Sequence, residues 1–326
     1  MAKKQFFHKQ VSSSTNKIKT AWRLIKDSLG NLHYDDTVNE IKSENGLLEN
    51  PIEIADAFNE YFINTITNVN IKHSDIGKAS KLLNNHKLGN IVYMETIPVT
   101  EAEVVSTIRS LKPNGASGYD GISNNILKLC AQNISSPLTY IINYTLTTGI
   151  FPERCKLAIV RPIHKKGGKN EMNNYRPISL LMAISKIFER IMYNRLFQHF
   201  ESNNYLTTAE YGFRKEVHIE NAVFSLLDRI TTLLDKRQHV GGIFCDLTKA
   251  FDCVNHNIRL HKLQYYGIKG NSLTWIKSYL GNRKQTEGLP ITKQSRSGNI
   301  IQVESSSEWS PAGINLRTFA FHNIPE

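Results

Sequence analysis

Hydrophobic residues along the chain recur at helical spacing in several segments, most clearly in the first half. Asn50 is a favourable N-cap and Pro51 suits the first helical position. Behind them, apolar residues share one helical face from Ile54 to Ile66. Thr100 and Glu103 have the same capping pattern, and Pro113 ends the helix that follows. Further helices are predicted at 123–132, 136–148, 185–200, 256–266 and 272–280.

Short apolar runs predict strands between these helices. Leu157 to Ile163 and Val240 to Cys245 have strand length, and a polar strand pair is predicted to extend to about residue 303. His164 to Asn170 is predicted to be a basic hairpin or loop, and residues 1–50 a polar tail or linker. Mixed helices and short strands favour an α+β fold over a doubly wound one.

Composition narrows the class of protein. The 40 Lys and Arg residues exceed the 29 Asp and Glu residues, and a net charge of +11 favours a polyanionic partner, most often nucleic acid. Four cysteines are too few for a disulfide scaffold, and we expect them to be reduced. With no signal peptide and no apolar run of membrane-spanning length, we expect an intracellular protein, nuclear or cytoplasmic, that is not secreted and does not bind membranes.

The segment from Phe151 to Arg176 is strongly basic. It contains seven Lys and Arg residues against two Glu residues. A lysine next to glycine can approach a phosphate closely, although Lys169 is followed by Asn170 and does not form a Walker A loop. A solvent-exposed hairpin tip is the alternative interpretation.

Asp246 comes directly after the second apolar run. A carboxylate at the end of a strand is a common ligand for a divalent metal, although Asp246 could also simply cap the turn that follows. At helical spacing further on lie Tyr265, Tyr266, Trp275 and Tyr279. These aromatic side chains could stack on bases, but such a pattern is more typical of a core.

A set of motifs in one order resembles the reverse transcriptase of a non-LTR retrotransposon of the jockey-like kind. The motifs are Phe151 to Gly167, Asn174 to Leu181, Tyr211 to Arg214, Phe244 to His256, Tyr266 to Gly270 and Ser278 to Gln285. The resemblance extends over about residues 100–305, and residues 15–70 resemble the linker that precedes the polymerase in such elements. It implies a right-hand polymerase with fingers and palm, which makes DNA from dNTPs on an RNA template and a DNA primer.

The same resemblance assigns roles to four residues. Lys165 would contact the terminal phosphates of the nucleotide, and Arg176 would brace the triphosphate. Asp246 would be the catalytic, metal-binding carboxylate of the palm, with Mg²⁺ as its metal. Phe251 would lie under the sugar and reject a 2′-hydroxyl. Cations on the triphosphate and a carboxylate on Mg²⁺ are what in-line nucleotidyl transfer requires.

Three further basic residues are expected to contact nucleic acid: Lys166, Lys169 and Arg214. The chain departs from the family close to the last of these. Residues from Glu216 to Glu220 replace a segment in which the family usually has Gly, Ser or Thr.

The resemblance ends near Ser307. The family continues with a Pro-Gln-Gly segment and a palm hairpin with two adjacent aspartates, whereas no Asp follows Asp252 here. When the residues from Glu308 onward are back-translated with permitted codons, the same nucleotides read one position later spell that Pro-Gln-Gly segment. We therefore hypothesise a one-nucleotide frameshift near Glu308. We therefore predict a linker and helical extension over 1–95, fingers and a partial palm over 96–307, and a frameshifted tail over 308–326.

This organisation predicts an RNA-directed DNA polymerase fragment that is inactive alone, because two-metal catalysis needs carboxylates on both sides of the metal pair. Two alternatives stay open. One is a non-enzymatic protein that binds RNA or DNA and survives from a mobile element. The other is an unstable pseudogene product with exposed strand edges.

Overall fold

The computed structural model describes residues 2–14, 16–28, 38–43, 46–67, 81, 91–206, 211, 218–245 and 255–287. The chain divides into two compact units, Met1–Val38 and Asn39–Glu326. No helix within the described ranges combines the length and the apolar character needed to cross a bilayer.

The first unit is helical where the sequence predicted only a polar tail. Helix α1 is Ala2–Ser12, helix α2 is Lys17–Ser28, and the two pack against each other. The prediction failed because frequent lysines interrupt the pattern. Even so, Ile18, Ala21, Trp22 and Ile25 keep the spacing of one helical face.

The second unit mixes helices and strands, as expected for an α+β fold. A two-stranded hairpin, β1 (Ile41–Ser43) and β2 (Gly46–Leu48), precedes helix α3 (Pro51–Thr67). The remaining elements, in chain order, are α4 (Glu101–Ser110), α5 (Asn124–Leu129), α6 (Ala131–Thr148), β3 (Leu157–His164), β4 (Tyr175–Leu181), α7 (Ala183–Ser202), α8 (Ile219–Asp235), α9 (His256–Tyr265), α10 (Gly270–Leu280) and β5 (Lys284–Glu287). Short 3₁₀ turns at Glu153–Lys156 and Met172–Asn174 precede β3 and β4.

Strand β3 lies at the centre of a three-stranded sheet. Its order is β4-β3-β5, with β4 antiparallel and β5 parallel to β3. Ala158, Val160 and Pro162 alternate along β3 and are buried. The predicted strand at 157–163 is therefore confirmed, and its period of two gives the sheet one buried face.

Helix α3 packs on this sheet. The rings of Phe58 and Tyr175 meet edge to face, with centroids 4.9 Å apart. The buried amides of Asn59 and Gln285 are joined by a hydrogen bond of 2.8 Å from Gln285 Nε2 to Asn59 Oδ1. This amide contact links α3 to β5.

An aromatic cluster joins α10 to the chain just before β3. The ring of Phe151 meets those of Trp275 and Tyr279 edge to face, each at 5.1 Å. Trp275 Nε1 donates to Thr145 Oγ1 of α6 at 3.2 Å. The prediction of a core role is confirmed for Trp275, Tyr279 and Tyr266, all of which are buried.

The predicted helices after Ser123 are also present, with shifted boundaries. The break between α5 and α6 falls at Cys130, earlier than the predicted gap. Gly149 ends α6 in the left-handed conformation, with φ 71°. Helix α7 covers the predicted 185–200 segment and extends it at both ends.

Residues Val240 to Cys245, which the structure describes, were predicted to form a strand, and this prediction is wrong. The segment has no strand assignment, and the side chains of Ile243 and Phe244 are 94% and 87% exposed. A strand needs a neighbour for its N–H and C=O groups, and none of the described strands pairs with this one. The polar strand pair is described only as β5, and its continuation to 303 lies outside the described residues.

Candidate functional site

The hairpin of β3 and β4 brings three cations to one face. Residues directly opposite each other in an antiparallel pair point to the same side. Ile163 is paired with Arg176, and the backbone N–H of Lys165 continues the register by donating to Asn174 O at 2.8 Å. Because side chains alternate along a strand, Arg161 and Lys165 lie on the same face as Arg176.

This face is exposed to solvent. The side chains of Arg161, Lys165 and Arg176 are all exposed, and so are those of Ile163 and Ile178 between them. The hairpin is thus held from its buried side, while the other side presents positive charge around a small apolar patch.

Asn174 organises the loop that carries Lys165. Its amide Nδ2 donates to Gly168 O at 2.9 Å and to a carboxylate oxygen of Glu171 at 3.1 Å. Gly167 has φ 86°, and a Cβ there would come within 2.6 Å of the Asn174 amide. Glycine at this position therefore allows both the left-handed backbone and the close packing of Asn174.

Tyr175 fixes the other end of the loop. Its hydroxyl donates to Lys169 O at 2.6 Å, and its ring meets that of His164 edge to face at 5.3 Å. Burial raises the pKa of the Tyr175 hydroxyl, so it remains a donor. The backbone of the loop is therefore held at several points, while Lys165 and Lys166 extend into solvent.

The cations of this face stand apart from the carboxylates that the structure describes. Within the described ranges, no carboxylate lies at ion-pair distance from Arg161, Lys165 or Arg176. A guanidinium offers a planar fork of N–H donors and an ammonium offers a compact charge, and both suit phosphate oxygens. The arrangement is suited to a multiply charged anion such as a triphosphate.

A buried carboxylate lies close to the chain just before β3, because Ser185 Oγ contacts both the Cys155 carbonyl and Glu189. Glu189 on α7 is 2% exposed, and burial raises the pKa of its carboxyl to about 7. The charge of Arg283, a hydrogen bond of 3.0 Å from Ser185, the charge of Lys186 and the hydroxyl of Tyr279 all oppose that rise. Sequence patterns did not identify this group, because no local motif pairs α7 with the end of α10.

Cys155 lies close to the same carboxylate. Burial raises the pKa of its thiol to about 11, and the negative charges of Glu189 and Asp120 contribute to the rise. The thiol is therefore protonated at neutral pH and unreactive. Among the three described cysteines, no disulfide forms.

The structure brings together two of the residues predicted as a substrate site, Lys165 and Arg176, and adds Arg161. The alternation of Arg161, Ile163 and Lys165 along the predicted strand could have identified this third cation. The predicted nucleic-acid contacts Lys166 and Lys169 lie in the same loop, both exposed.

Three other predicted site residues, Asp246, Phe251 and Arg214, lie outside the described residues. Among the residues that are described, no group of three or more His, Cys, Asp or Glu side chains could hold a metal ion. The fit of Mg²⁺, the metal expected for the family that the motifs indicate, therefore rests on the sequence assignment of Asp246.

Comparison with known proteins identifies the class. Residues 163–304, which begin at the end of β3 and include the whole hairpin loop, match the family "Reverse transcriptase (RNA-dependent DNA polymerase)". This match shows that the part of the chain from residue 163 to residue 304 is similar to reverse transcriptases.

Three curated relatives of the chain are RNA-directed DNA polymerases of mobile elements. The probable RNA-directed DNA polymerase from transposon BS of Drosophila melanogaster is 32% identical over 194 residues, which is 57% of this chain and 21% of the relative. The corresponding protein of transposon X-element from the same species is 31% identical over 198 residues, or 59% and 21% of the two chains. The polymerase from mobile element jockey of Drosophila funebris is 30% identical over 188 residues, or 57% and 20%. The matches thus span about a fifth of each relative's length.

Proposed function

We propose that the β3–β4 hairpin binds the triphosphate of an incoming dNTP in RNA-directed DNA synthesis. The observation that carries this proposal is the pairing register, which aligns Arg161, Lys165 and Arg176 on one exposed face. In this assignment the hairpin belongs to the fingers of a right-hand polymerase. RNA template, DNA primer and dNTPs are its partners.

Each cation has a distinct part in the proposal. Lys165, at the loop, contacts the terminal phosphates, and Arg176 braces the triphosphate from the adjacent strand. Arg161 lies four residues before Lys165, further from the loop, and meets the nucleoside end of the same anion. Bound Mg²⁺ would neutralise phosphate charge in this reaction, and Asp246 is the residue assigned to hold it.

Other contacts along the chain extend the site. Lys166, Lys169 and Arg214 are proposed to contact nucleic acid, and Phe251 to exclude the 2′-hydroxyl of a ribonucleotide. The domain limits of 1–95, 96–307 and 308–326 stay predictions, and the DNA sequence downstream of the codon for Ser307 tests the last of them.

The binding step is tested with the full chain and a fluorescent dNTP analogue, in the presence of oligo(dT)-primed poly(rA) and Mg²⁺. Lys165→Ala and Arg176→Ala are each expected to weaken nucleotide binding about tenfold or more, because each removes a charge-assisted contact. Lys277→Ala changes an equally exposed lysine on α10 and is the matched control. Wild-type affinity in both hairpin variants would overturn the proposal.

Catalysis needs a separate measurement. For a polypeptide of these 326 residues alone we predict negligible primer extension with Mg²⁺ or Mn²⁺, because only Asp246 is assigned as a metal ligand. Extension that is lost in Asp246→Asn would contradict this prediction.

The alternative function, a non-enzymatic nucleic-acid-binding protein, has a different signature. It requires salt-dependent RNA binding that is lost when Lys165, Lys166 and Arg176 are replaced, with no nucleotide binding by the wild-type chain. The exposed charge of the hairpin is the observation that keeps this alternative open.

A further inference from the structure

The loop of residues 165–174, which joins β3 to β4, is held from outside as well as from within. Its carbonyls at positions 168 and 169 accept hydrogen bonds from two side chains at the end of the loop. The next carbonyl, that of Asn170, accepts from the backbone N–H of Lys42 at 2.8 Å. Lys42 belongs to β1, far earlier in the chain and outside residues 163–304, which match the reverse transcriptase family.

The pairing within the β1–β2 hairpin turns this N–H outward. Lys42 is paired with Leu47 of β2, and opposite residues of antiparallel strands alternate between pairs that exchange hydrogen bonds and pairs that do not. Because the N–H of Lys42 donates to Asn170 O, the pair of Lys42 and Leu47 is of the second kind. Strand β1 therefore faces β2 along one edge and the β3–β4 loop along the other.

Strand β1 is anchored by apolar burial. The side chain of Ile41 is fully buried, whereas that of Leu47 on the paired strand is 51% exposed. A two-stranded hairpin has little stability of its own in water, so the burial of Ile41 in the surrounding fold holds it. The donor of Lys42 thus comes directly after an anchored residue.

Helix α3, which follows this hairpin in the chain, supports the same loop through Tyr175. The Phe58 ring is fully buried and meets the Tyr175 ring edge to face at 4.9 Å. The Tyr175 hydroxyl donates in turn to Lys169 O at 2.6 Å. Two adjacent carbonyls of the loop are therefore held, directly or through one side chain, by residues between 41 and 58.

We propose that the β1–β2 hairpin is a positioning element for the β3–β4 loop, with the N–H of Lys42 as its point of contact. Holding a carbonyl fixes the planar peptide group to which it belongs, so the chain on both sides of Asn170 keeps one course. A loop that is ordered before its ligand arrives loses less freedom on binding, and this strengthens affinity. The inference rests on the proposed function, because it takes the triphosphate as the ligand of the loop.

Lys42→Pro tests the contact in the full chain, because proline lacks the N–H and is tolerated on an edge strand. Amide hydrogen exchange, measured by mass spectrometry, is expected to be about fivefold faster in peptides that cover the β3–β4 loop, the effect of losing one hydrogen bond. Exchange in α6 and α10 should stay as in the wild type.

Two matched controls isolate the N–H. Lys42→Ala removes the exposed side chain and keeps the N–H, so exchange in the loop should not change. Leu47→Pro places proline at the opposite position of the same pair, where the N–H faces away from β1. No acceleration in Lys42→Pro, or an equal one in either control, overturns the proposal.

A second variant acts on the anchor and leaves the N–H in place. Ile41→Ala should also accelerate exchange in the β3–β4 loop, because β1 is then held less firmly. Ile142→Ala removes the same atoms from an equally buried site on α6 and should leave the loop unchanged. Equal exchange of the loop in these two variants would contradict the anchoring role of Ile41.

Nucleotide binding provides a readout that a merely structural role would not move. With the fluorescent dNTP analogue, Lys42→Pro should bind about fivefold more weakly, while its affinity for oligo(dT)-primed poly(rA) stays within about twofold of the wild type. Loss of both affinities alike would assign Lys42 a general structural role and contradict the proposal.

The two measurements separate this inference from the function on which it rests. Hydrogen exchange needs no nucleotide, so it decides whether β1 holds the loop even where the wild type binds no dNTP analogue. That failure of binding would count against the proposed function. Weakened nucleotide binding in Lys165→Ala together with wild-type binding in Lys42→Pro would retain the nucleotide site and overturn the positioning role.

Discussion

Arg195 on α7 binds both carboxylate oxygens of Glu103 on α4, with Nη1 and Nη2 at 2.7 and 3.0 Å. The Nε of the same guanidinium donates to Ile97 O at 3.0 Å. Arg195 is buried and Glu103 is largely shielded from solvent. The pair therefore links α4 and α7, and Arg195 also holds the segment before α4. Such geometry is available only to arginine.

Replacing Arg195 with alanine is expected to lower the free energy of unfolding by about 2–4 kcal/mol, because it leaves a shielded carboxylate and a backbone carbonyl without their donors. Urea unfolding followed by circular dichroism measures the change. In a double-mutant cycle with Glu103→Gln, the two losses should not add. Additive losses would show that the pair is not energetically coupled.

Gly118 allows two segments to approach closely. A Cβ at this position would lie 2.4 Å from the backbone nitrogen of Met182, at the junction of β4 and α7. Gly118→Ala should therefore destabilise the protein by about 2–3 kcal/mol, since backbone on both sides must shift. Gly241→Ala, with nothing within 4 Å, is the control and should change stability little. Similar melting temperatures for the two variants would contradict the packing argument.

The buried carboxyl of Glu189 is expected to make stability depend on pH. Burial raises its pKa from 4.5 to about 7, so between these values the folded state binds more protons than the unfolded state. Stability should therefore fall as pH rises from about 4.5 to about 7, by up to about 3 kcal/mol, and this contribution should level off above pH 7.

Urea unfolding of the wild type and of Glu189→Gln across pH 5 to 8 tests this. The amide keeps an acceptor for Ser185 but cannot titrate, so the decline in stability should be absent or much smaller in the variant. Equal slopes in the two proteins would assign the pH dependence to other groups.

The reactivity of the cysteines should follow their burial. Cys130 and Cys245 are exposed, whereas Cys155 is buried with a pKa raised to about 11. In a Cys253→Ser background, a thiol reagent such as dithionitrobenzoate should label two cysteines rapidly at pH 8 and the third only after unfolding. Rapid labelling of all three would show that the chain around Cys155 opens readily.

Local signals predicted much of this fold. Thr100 caps α4 through a hydrogen bond of 3.2 Å from Glu103 N, and Gly149 ends α6, both as expected from single residues. The apolar run from Leu157 to Ile163 predicted β3. These features depend on neighbours within a few positions, which a sequence displays directly.

Other contacts of the fold are not local. Glu103 was expected to complete a capping box, but its carboxylate binds Arg195 from a distant helix. The strand predicted from Val240 to Cys245 is absent and the segment is exposed, because apolar content alone does not provide a partner strand. Asp246 has a role assigned by resemblance, and it lies outside the described residues.

The parallel pairing of β3 with β5 has a consequence for synthesis of the chain. Leu157 pairs with Lys284, and the backbone N–H of Phe151 donates to Ser278 Oγ at 3.0 Å, a partner 127 residues later in the chain. On a ribosome, the β3–β4 hairpin can form as soon as Leu181 has emerged, whereas the third strand arrives only after four more helices. During that interval the hairpin has an open edge at β3, which invites pairing with other chains. Charged side chains on an open strand disfavour such pairing, and Arg161 supplies one on β3 itself.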